Sequence, residues 1–367
     1  MSKASPLGTL RDALQREWRS LWLYKKGAKP WHMAFAAASA TGLPLLLGAY
    51  FGVMHFGLFA SLGGLCFVYA PNTELYHRMA VLMACAFGMT ACYTLGALSY
   101  LVPWAVVPLL TVMTIVVTMI QRYYNLGPPG TLFFVMPAMI AAYTMSPAIH
   151  LFTAVGVFSA GTTLAVAIAF AYSLYAIPRG EVESPARVVR NFNYVIVEPV
   201  FLGLTVGASL AVATLLQLPR PYWVPISCIA VMQVATFRDV WRRQLHRIIG
   251  TLFGVFIGLA LLQLPLNIWG VALMMFTLFF AIEYLIPRNY ALAVVFITPM
   301  TLLLVESVTR HAGIVPNAAW IRLLDTVVGS LMGLLGAAFM HHPRTRSAMV
   351  TALRRVVRRA NVRAQEE

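Results

Sequence analysis

The sequence predicts an all-α polytopic membrane protein whose twelve transmembrane segments form two parallel six-helix repeats. Three observations carry that expectation. Hydrophobic residues make up 60% of the 367 positions and charged residues 11%, a balance outside the range of soluble domains. On a twelve-segment path, 24 of the 27 Lys and Arg residues fall on one side. Cations are retained on the cytoplasmic side of a membrane, so this sorting orients the chain with both termini inside. Finally, the apolar runs recur after about 165 residues in the same order of long and short lengths, as an internal duplication would give.

An apolar helix needs about 20 residues to cross a ~30 Å hydrocarbon core. Long runs near 31–54, 77–99, 103–121, 149–176, 193–217, 242–263, 267–286 and 317–340 meet that length. Shorter runs near 58–71, 131–145, 222–235 and 290–305 do not. Charge sorting still requires each to change sides, so short, tilted or broken spans inside the protein are expected. The organisation that follows is a cytoplasmic amphipathic N-terminal helix in 1–30, transmembrane repeat 1 in 31–178 and a cytoplasmic linker in 179–192. Transmembrane repeat 2 then occupies 193–342 and a basic cytoplasmic tail 343–367. Leu7, Leu10, Leu14, Trp18 and Leu21, and in the tail Val350, Leu353 and Val357, recur at helical spacing opposite arginines. Both segments read as helices on the inner membrane surface.

Local residues match between the halves. Ala84, Gly88 and Cys92 correspond to Gly250, Gly254 and Gly258, Gly161 and Ala165 to Gly329 and Gly333, and Pro137 to Pro299. Six spans per copy is an even number, so both copies enter from the same side, related by a pseudo-two-fold axis along the membrane normal. The glycine ladders let a neighbouring backbone approach closely, which places helices 77–99 and 242–263 in the crowded centre of the bundle.

The net charge of +15 sits in tails and inner loops, where it answers to topology and anionic lipid, so nucleic acid is not an expected partner. Cys66, Cys85, Cys92 and Cys228 lie inside predicted spans without metal-ligand spacing and read as small packing residues. No cleavable signal peptide is expected, because a polar stretch of about thirty residues precedes the first apolar run. Neither a phosphate-binding glycine loop, a helical zinc motif nor a nucleophile elbow occurs. No enzyme activity, catalytic residue, cofactor or metal is expected.

Paired interrupted segments in two repeats point to a transport site, because unwound backbone is tolerated only where it lines a cavity. That singles out Pro137 and Pro299, with Gly127-Pro128-Pro129-Gly130 at the entry to the first. Glu283, Arg322 and Asp325 are ionisable inside spans, where charges are costly and face water or a partner. Arg322 and Asp325, three apart, can pair on one helix face. The functional reading gives Arg322 an anionic substrate and Asp325 or Glu283 a coupling proton. The structural alternative is an Arg–Asp pair, with Glu283 near the headgroups. Arg242, Arg243, His246 and Arg247 form a basic cluster at the inner mouth, with His77 and Arg78 near the equivalent place. Such a cluster concentrates anions, although topology alone also asks for arginines there. Asn72 and Gln233 end the two short second segments.

The run Tyr222-Trp223-Val224-Pro225 through Gln233 to Trp241-Arg242-Arg243 and His246-Arg247-Ile248-Ile249-Gly250-Thr251-Leu252-Phe253-Gly254 resembles the fusaric acid resistance and aromatic acid exporter family. Arg322-Leu323-Leu324-Asp325-Thr326-Val327-Val328-Gly329 is similar to that family's last-span motif. The resemblance implies a bacterial inner-membrane, multi-pass efflux protein for aromatic carboxylates or related weak acids, driven by the proton gradient. Larger members carry a sizeable cytoplasmic domain after each six-span unit, whereas the linker and tail here are short, so pairing with a periplasmic adaptor protein is in doubt. A homo-oligomer is the other assembly left open beside the lipid bilayer. The expected function is export of small anionic, aromatic organic acids, with substrate between the repeats near mid-membrane. Arg322, Pro137, Pro299, Arg242, Arg243 and Arg247 would bind it, and Asp325 and Glu283 would couple protons. The alternatives are a passive organic-anion channel and a non-transport membrane scaffold or subunit.

Overall fold

Long apolar runs leave the backbone no partner but itself, and helices satisfy that demand locally. The computed structural model describes residues 30–145, 150–179, 191–233, 237–309 and 318–366, and among them holds thirteen α-helices and no strand. They are α1 Trp31–Tyr50, α2 Met54–Gly64, α3 Leu75–Leu98, α4 Val106–Tyr123, α5 Leu132–Thr144, α6 Leu151–Ala176, α7 Glu198–Leu215, α8 Trp223–Met232, α9 Phe237–Leu262, α10 Ile268–Leu285, α11 Tyr290–Thr309, α12 Ala318–His341 and α13 Pro343–Glu366. Eight of these (α1, α3, α4, α6, α7, α9, α10 and α12) are long and apolar enough to cross a membrane. The shorter apolar stretches are α2 with its 3-10 continuation Leu65–Tyr69, α5, α8, and Tyr290–Leu304 of α11.

Turn chemistry sets the boundaries. Gly52, at φ +69°, lets the chain reverse after α1. The Asn267 side chain accepts from the Gly270 N–H at 2.8 Å and caps α10. Pro44, Pro137 and Pro299 lie inside helices that continue through them, so the expected break at the last two is absent.

Helix packing follows a pattern that repeats along the chain. In residues 31–176, α1 packs on α2, α2 on α6, α3 on α5 and on α6, and α1 on α6. In residues 198–341 the same ordinal pairs pack: α7 on α8, α8 on α12, α9 on α11 and on α12, and α7 on α12. Between these groups α5 meets α8 and α2 meets α11, and the two broadest contacts are α1 against α10 and α4 against α7. Small residues make both joints possible. A Cβ on Gly42 would collide with the Phe276 ring and one on Gly207 with Thr111; both residues of the first pair lie 165 positions from those of the second. Likewise, Gly161 abuts the Ala60 carbonyl and Gly329 the Val224 carbonyl.

The glycine ladders do pack closely, with Gly250, Gly254 and Gly258 of α9 against Val294, Thr298 and Pro299 of α11. Their helices are not at the crowded centre, however. α9 exposes Leu252, Phe253, Phe256 and Leu259, and α3 exposes Met83 and Phe87. A small-residue stripe fixes one face of a helix and leaves the opposite face free to meet lipid. The interior belongs to α1 and, above all, to α8, all ten of whose residues are buried.

The amphipathic N-terminal helix expected in 1–30, most of the 179–192 linker and Arg310 lie outside the described residues. The C-terminal segment expected to be helical forms α13. Met349, Val350 and Leu353 of α13 pack on a cluster of Val197, Phe201 and Met340. An ionic clamp sits beside it: Glu198 at the start of α7 pairs with Arg122 at the end of α4 and, at 3.6 Å, with Arg346 of α13.

Candidate functional site

α8 is the organising element. Its ten residues, WVPISCIAVM, are apolar except for Ser227 and the indole nitrogen of Trp223, and it lies sheathed by α7 and α12. Charges reach it from two neighbours. From α12, the Arg322 guanidinium stacks over the Trp223 ring at 3.9 Å. From α9, Arg247 donates to Ser227 Oγ at 3.2 Å through one terminal nitrogen and to the Tyr290 hydroxyl at 3.2 Å through the other. Tyr290 also receives Arg243, whose guanidinium carbon lies 4.5 Å from the ring centroid.

These groups are deeply buried, Arg322 and Arg247 at 6% exposure each and Asp325 at 0%. Arg322 and Asp325 do not form the hydrogen-bonded pair that their spacing allows. Both Asp325 carboxylate oxygens lack a partner, as do Nε and Nη1 of Arg322 and Nε of Arg247. Arg322 spends its face on the indole instead, a contact worth about 2 kcal/mol when desolvated. A buried ion costs several kcal/mol unless it is paired and hydrogen-bonded. Unfilled hydrogen-bonding positions on two guanidiniums and a carboxylate can receive a charged or strongly polar ligand. Arg247 and Arg322 also lie close enough to repel each other, and Arg220 adds its charge to both Arg322 and Asp325. Cations outnumber carboxylates here, which favours an anion.

The counterpart positions in the first half are closed. Ala154 and Val157 stand 168 positions before Arg322 and Asp325. On the same helix, Phe158 stacks on Tyr93 with centroids 4.2 Å apart, and Phe59, 164 positions before Trp223, lies beside Tyr93 at 6.4 Å. Aromatic rings pack beside these counterpart positions, where the second half carries charges.

The other residues singled out from sequence are dispersed. Pro137 is buried in α5, which packs on α3, and Pro299 packs against Gly258 of α9. Both serve close helix packing and neither meets the charged cluster. Glu283 is half-buried in the last turn of α10, a helix packed on α1 and α11, whereas Asp325 is in the second turn of α12. Of the basic cluster, Arg247 and Arg243 join the site as above, while Arg242 is half-exposed and His246 is buried. Arg78, expected at a mouth, is 2% exposed and donates to Ser173 Oγ at 3.1 Å. Gln233 closes the end of α8 onto the first half: its amide oxygen accepts from the Thr131 and Leu132 N–H groups at 3.2 and 3.1 Å, capping α5, and its nitrogen donates to the Pro129 carbonyl. Tyr69 and Gln121 hold the adjoining Gly130 carbonyl at 2.5 and 2.6 Å. Trp223 enters the sequence reading only within the family-like run, and Ser227, Tyr290 and Glu198 carry no functional expectation there. Among the described residues no group of three or more His, Cys, Asp or Glu side chains could hold a metal, and the four cysteines are buried and free.

Eight apolar helices of membrane length, with a buried ionic cluster beside α8, define a polytopic membrane protein consistent with a membrane transporter. Residues 207–336, which contain every member of this cluster, match the family described as fusaric acid resistance protein-like. The uncharacterized membrane protein YvaC of Bacillus subtilis (strain 168) is 33% identical over 165 residues, 45% of this chain and 26% of that protein. The chain thus spans about a quarter of the length of the curated relative it matches. No solved structure matches.

Proposed function

We propose that this protein exports small aromatic organic acids across a bacterial inner membrane, coupled to the proton gradient. The observation that carries the reading is the buried, incompletely partnered set Arg322, Asp325 and Arg247 around Trp223. The carboxylate of the substrate supplies the missing acceptor for the guanidiniums, and the indole offers a flat apolar surface to the ring. Asp325 exchanges the proton. The family description names resistance to fusaric acid, an aromatic carboxylic acid, and that chemistry fits the same groups.

The protein works as two parallel six-helix repeats, twelve spans in all, with both termini cytoplasmic. Support comes from the matching helix pairs of the two halves and from Gly42–Phe276 and Gly207–Thr111, which stand at a common offset. Two reciprocal seams, α1 on α10 and α4 on α7, are what a two-fold axis along the membrane normal generates.

The test is efflux of radiolabelled benzoate from vesicles carrying the protein, with membrane voltage clamped and the proton gradient imposed or collapsed. Export that stops when the gradient collapses supports the reading; flux that follows the anion's own gradient would make the protein a channel. Asp325→Asn should abolish gradient-driven efflux while protein continues to accumulate in the membrane. Unchanged rate and pH dependence in that variant would remove Asp325 from coupling. Absence of benzoate efflux from the native protein, together with full cellular function when Glu283, Arg322 and Asp325 are all neutral, would leave only the scaffold reading.

A further inference from the structure

We infer that the anion path runs inside the second half of the molecule, along α8, with Arg247 and Arg322 as two successive stations, and not through the seams between the halves. The inference rests on the transport reading and adds the route. Ser227 and Trp223 are four residues apart on α8, which puts them on one helix face, about 6 Å apart along its axis. Arg247 is held at the first by a hydrogen bond and Arg322 at the second by stacking. One face of a fully buried helix therefore displays two guanidiniums a single turn apart, each with at least one nitrogen unfilled. The series extends at both ends. Arg243 lies one turn before Arg247 on α9 and shares Tyr290 with it. Arg220 acts on Arg322 and Asp325 from the other end.

Among the described residues, four cations face Asp325, with Asp239 one turn beyond Arg243 on α9, and the column remains short of negative charge. Neighbouring guanidiniums repel, so an anion held at one station lowers the cost of the other, and its departure toward the next is not opposed by a deep well. Closely spaced sites that bind moderately and share an occupant are what a route needs in order both to admit and to release an ion. Among the described residues the seams show no run of buried cations: on the α4–α7 seam Arg122 is already paired with Glu198, at one end. Gly42 meets the Phe276 ring, and Phe35 meets Phe276 and Phe280 at 5.9 and 6.4 Å. On the other seam, Gly203 and Gly207 meet Ile115 and Thr111. The equivalent column in the first half is plugged by Tyr93 on Phe158.

The test places one cysteine at a time in the full-length chain, reconstituted in vesicles, with the labelling of the native protein as baseline. Ser227→Cys lies on the proposed route, and Ala154→Cys, the counterpart of Arg322, lies in the plugged half; both native residues are fully buried. A small anionic thiosulfonate reagent should modify Ser227→Cys about tenfold or more faster than Ala154→Cys, because a cationic column raises the local anion concentration. Benzoate should slow that reaction. Adding Arg247→Gln should remove the advantage of the anionic reagent over a neutral one of equal size, and Arg247→Lys should keep it. Equal rates at the two cysteines, or no reaction at Ser227→Cys, would overturn the route. Benzoate efflux measured in the same vesicles separates the two claims. Efflux with an unreactive Ser227→Cys defeats the route alone, whereas a reactive, benzoate-protected cysteine without efflux defeats the transport reading and leaves the anion column standing.

Discussion

Arg322 and Asp325 stand three residues apart on α12, yet neither completes the other's hydrogen bonds. Stability gains little from such an arrangement. Replacing buried ionic groups with apolar side chains of similar size is commonly neutral or stabilising by about 1–4 kcal/mol, whereas removing one partner strands the other. The double variant Arg322→Met/Asp325→Leu should therefore unfold in detergent at or above the native temperature while losing benzoate efflux. Retained efflux would show that the charges do not serve transport. The single change Asp325→Leu should lower the unfolding temperature, because Arg322 is then left without any counter-charge on α12. The ionic members of this site were legible in the sequence, since a charge within an apolar run has few other reasons to be there. Trp223, Ser227 and Tyr290 were not. An aromatic or a serine in a transmembrane helix is ordinary packing material, and only the approach of Arg322 and Arg247 gives these three a role. Glu198 escaped for a related reason: it falls in the first turn of its helix, where an acidic residue favours the helix dipole and draws no notice.

At the level of the helices, small residues decide which faces meet. A side chain at Gly207 would strike Thr111, and one at Gly329 would strike the Val224 carbonyl. Thr111 can rotate, but a backbone carbonyl inside α8 cannot, so Gly329→Val should cost more than Gly207→Val. Overpacking of this kind costs about 1–3 kcal/mol, readable as a lower unfolding temperature; equal losses would contradict the contacts at α8. Removing the cap that Gln233 places on α5, by Gln233→Ala, should cost about 1 kcal/mol and loosen the contact between α8 and α5. The order and approximate ends of the helices could be read from hydropathy and turn residues, with α11 running to Thr309 past the expected 305. What periodicity could not supply was depth. The short helix α8 is more enclosed than the long, glycine-laddered α9, because enclosure depends on the number of neighbours and not on a helix's own composition.

Across the whole molecule, part of the asymmetry between the halves is legible in the sequence, where Val157 and Val117 stand at the sites matching Asp325 and Glu283, while the aromatic stack in one half and the cationic column in the other come from side-chain environments. The halves are also tied at one end by Glu198, which bridges Arg122 of α4 and Arg346 of α13. Glu198→Gln should free α13, so that trypsin cuts at Arg354 and Arg355 several-fold faster than in the native protein. Raising the salt concentration should speed cleavage of the native protein and leave the variant little changed, because screening weakens partly exposed ion pairs. Salt-independent cleavage of both would mean that the apolar contacts of Met349, Val350 and Leu353 hold the helix unaided. The enclosure of α8 bears, lastly, on how the chain is made. Ten helical residues reach about 15 Å, half the thickness of a bilayer's oily layer, so the insertion machinery has no free-standing anchor to release there. α8 must enter together with α7 and wait for α12, synthesised some ninety residues later, which makes the site one of the last parts of the protein to be completed.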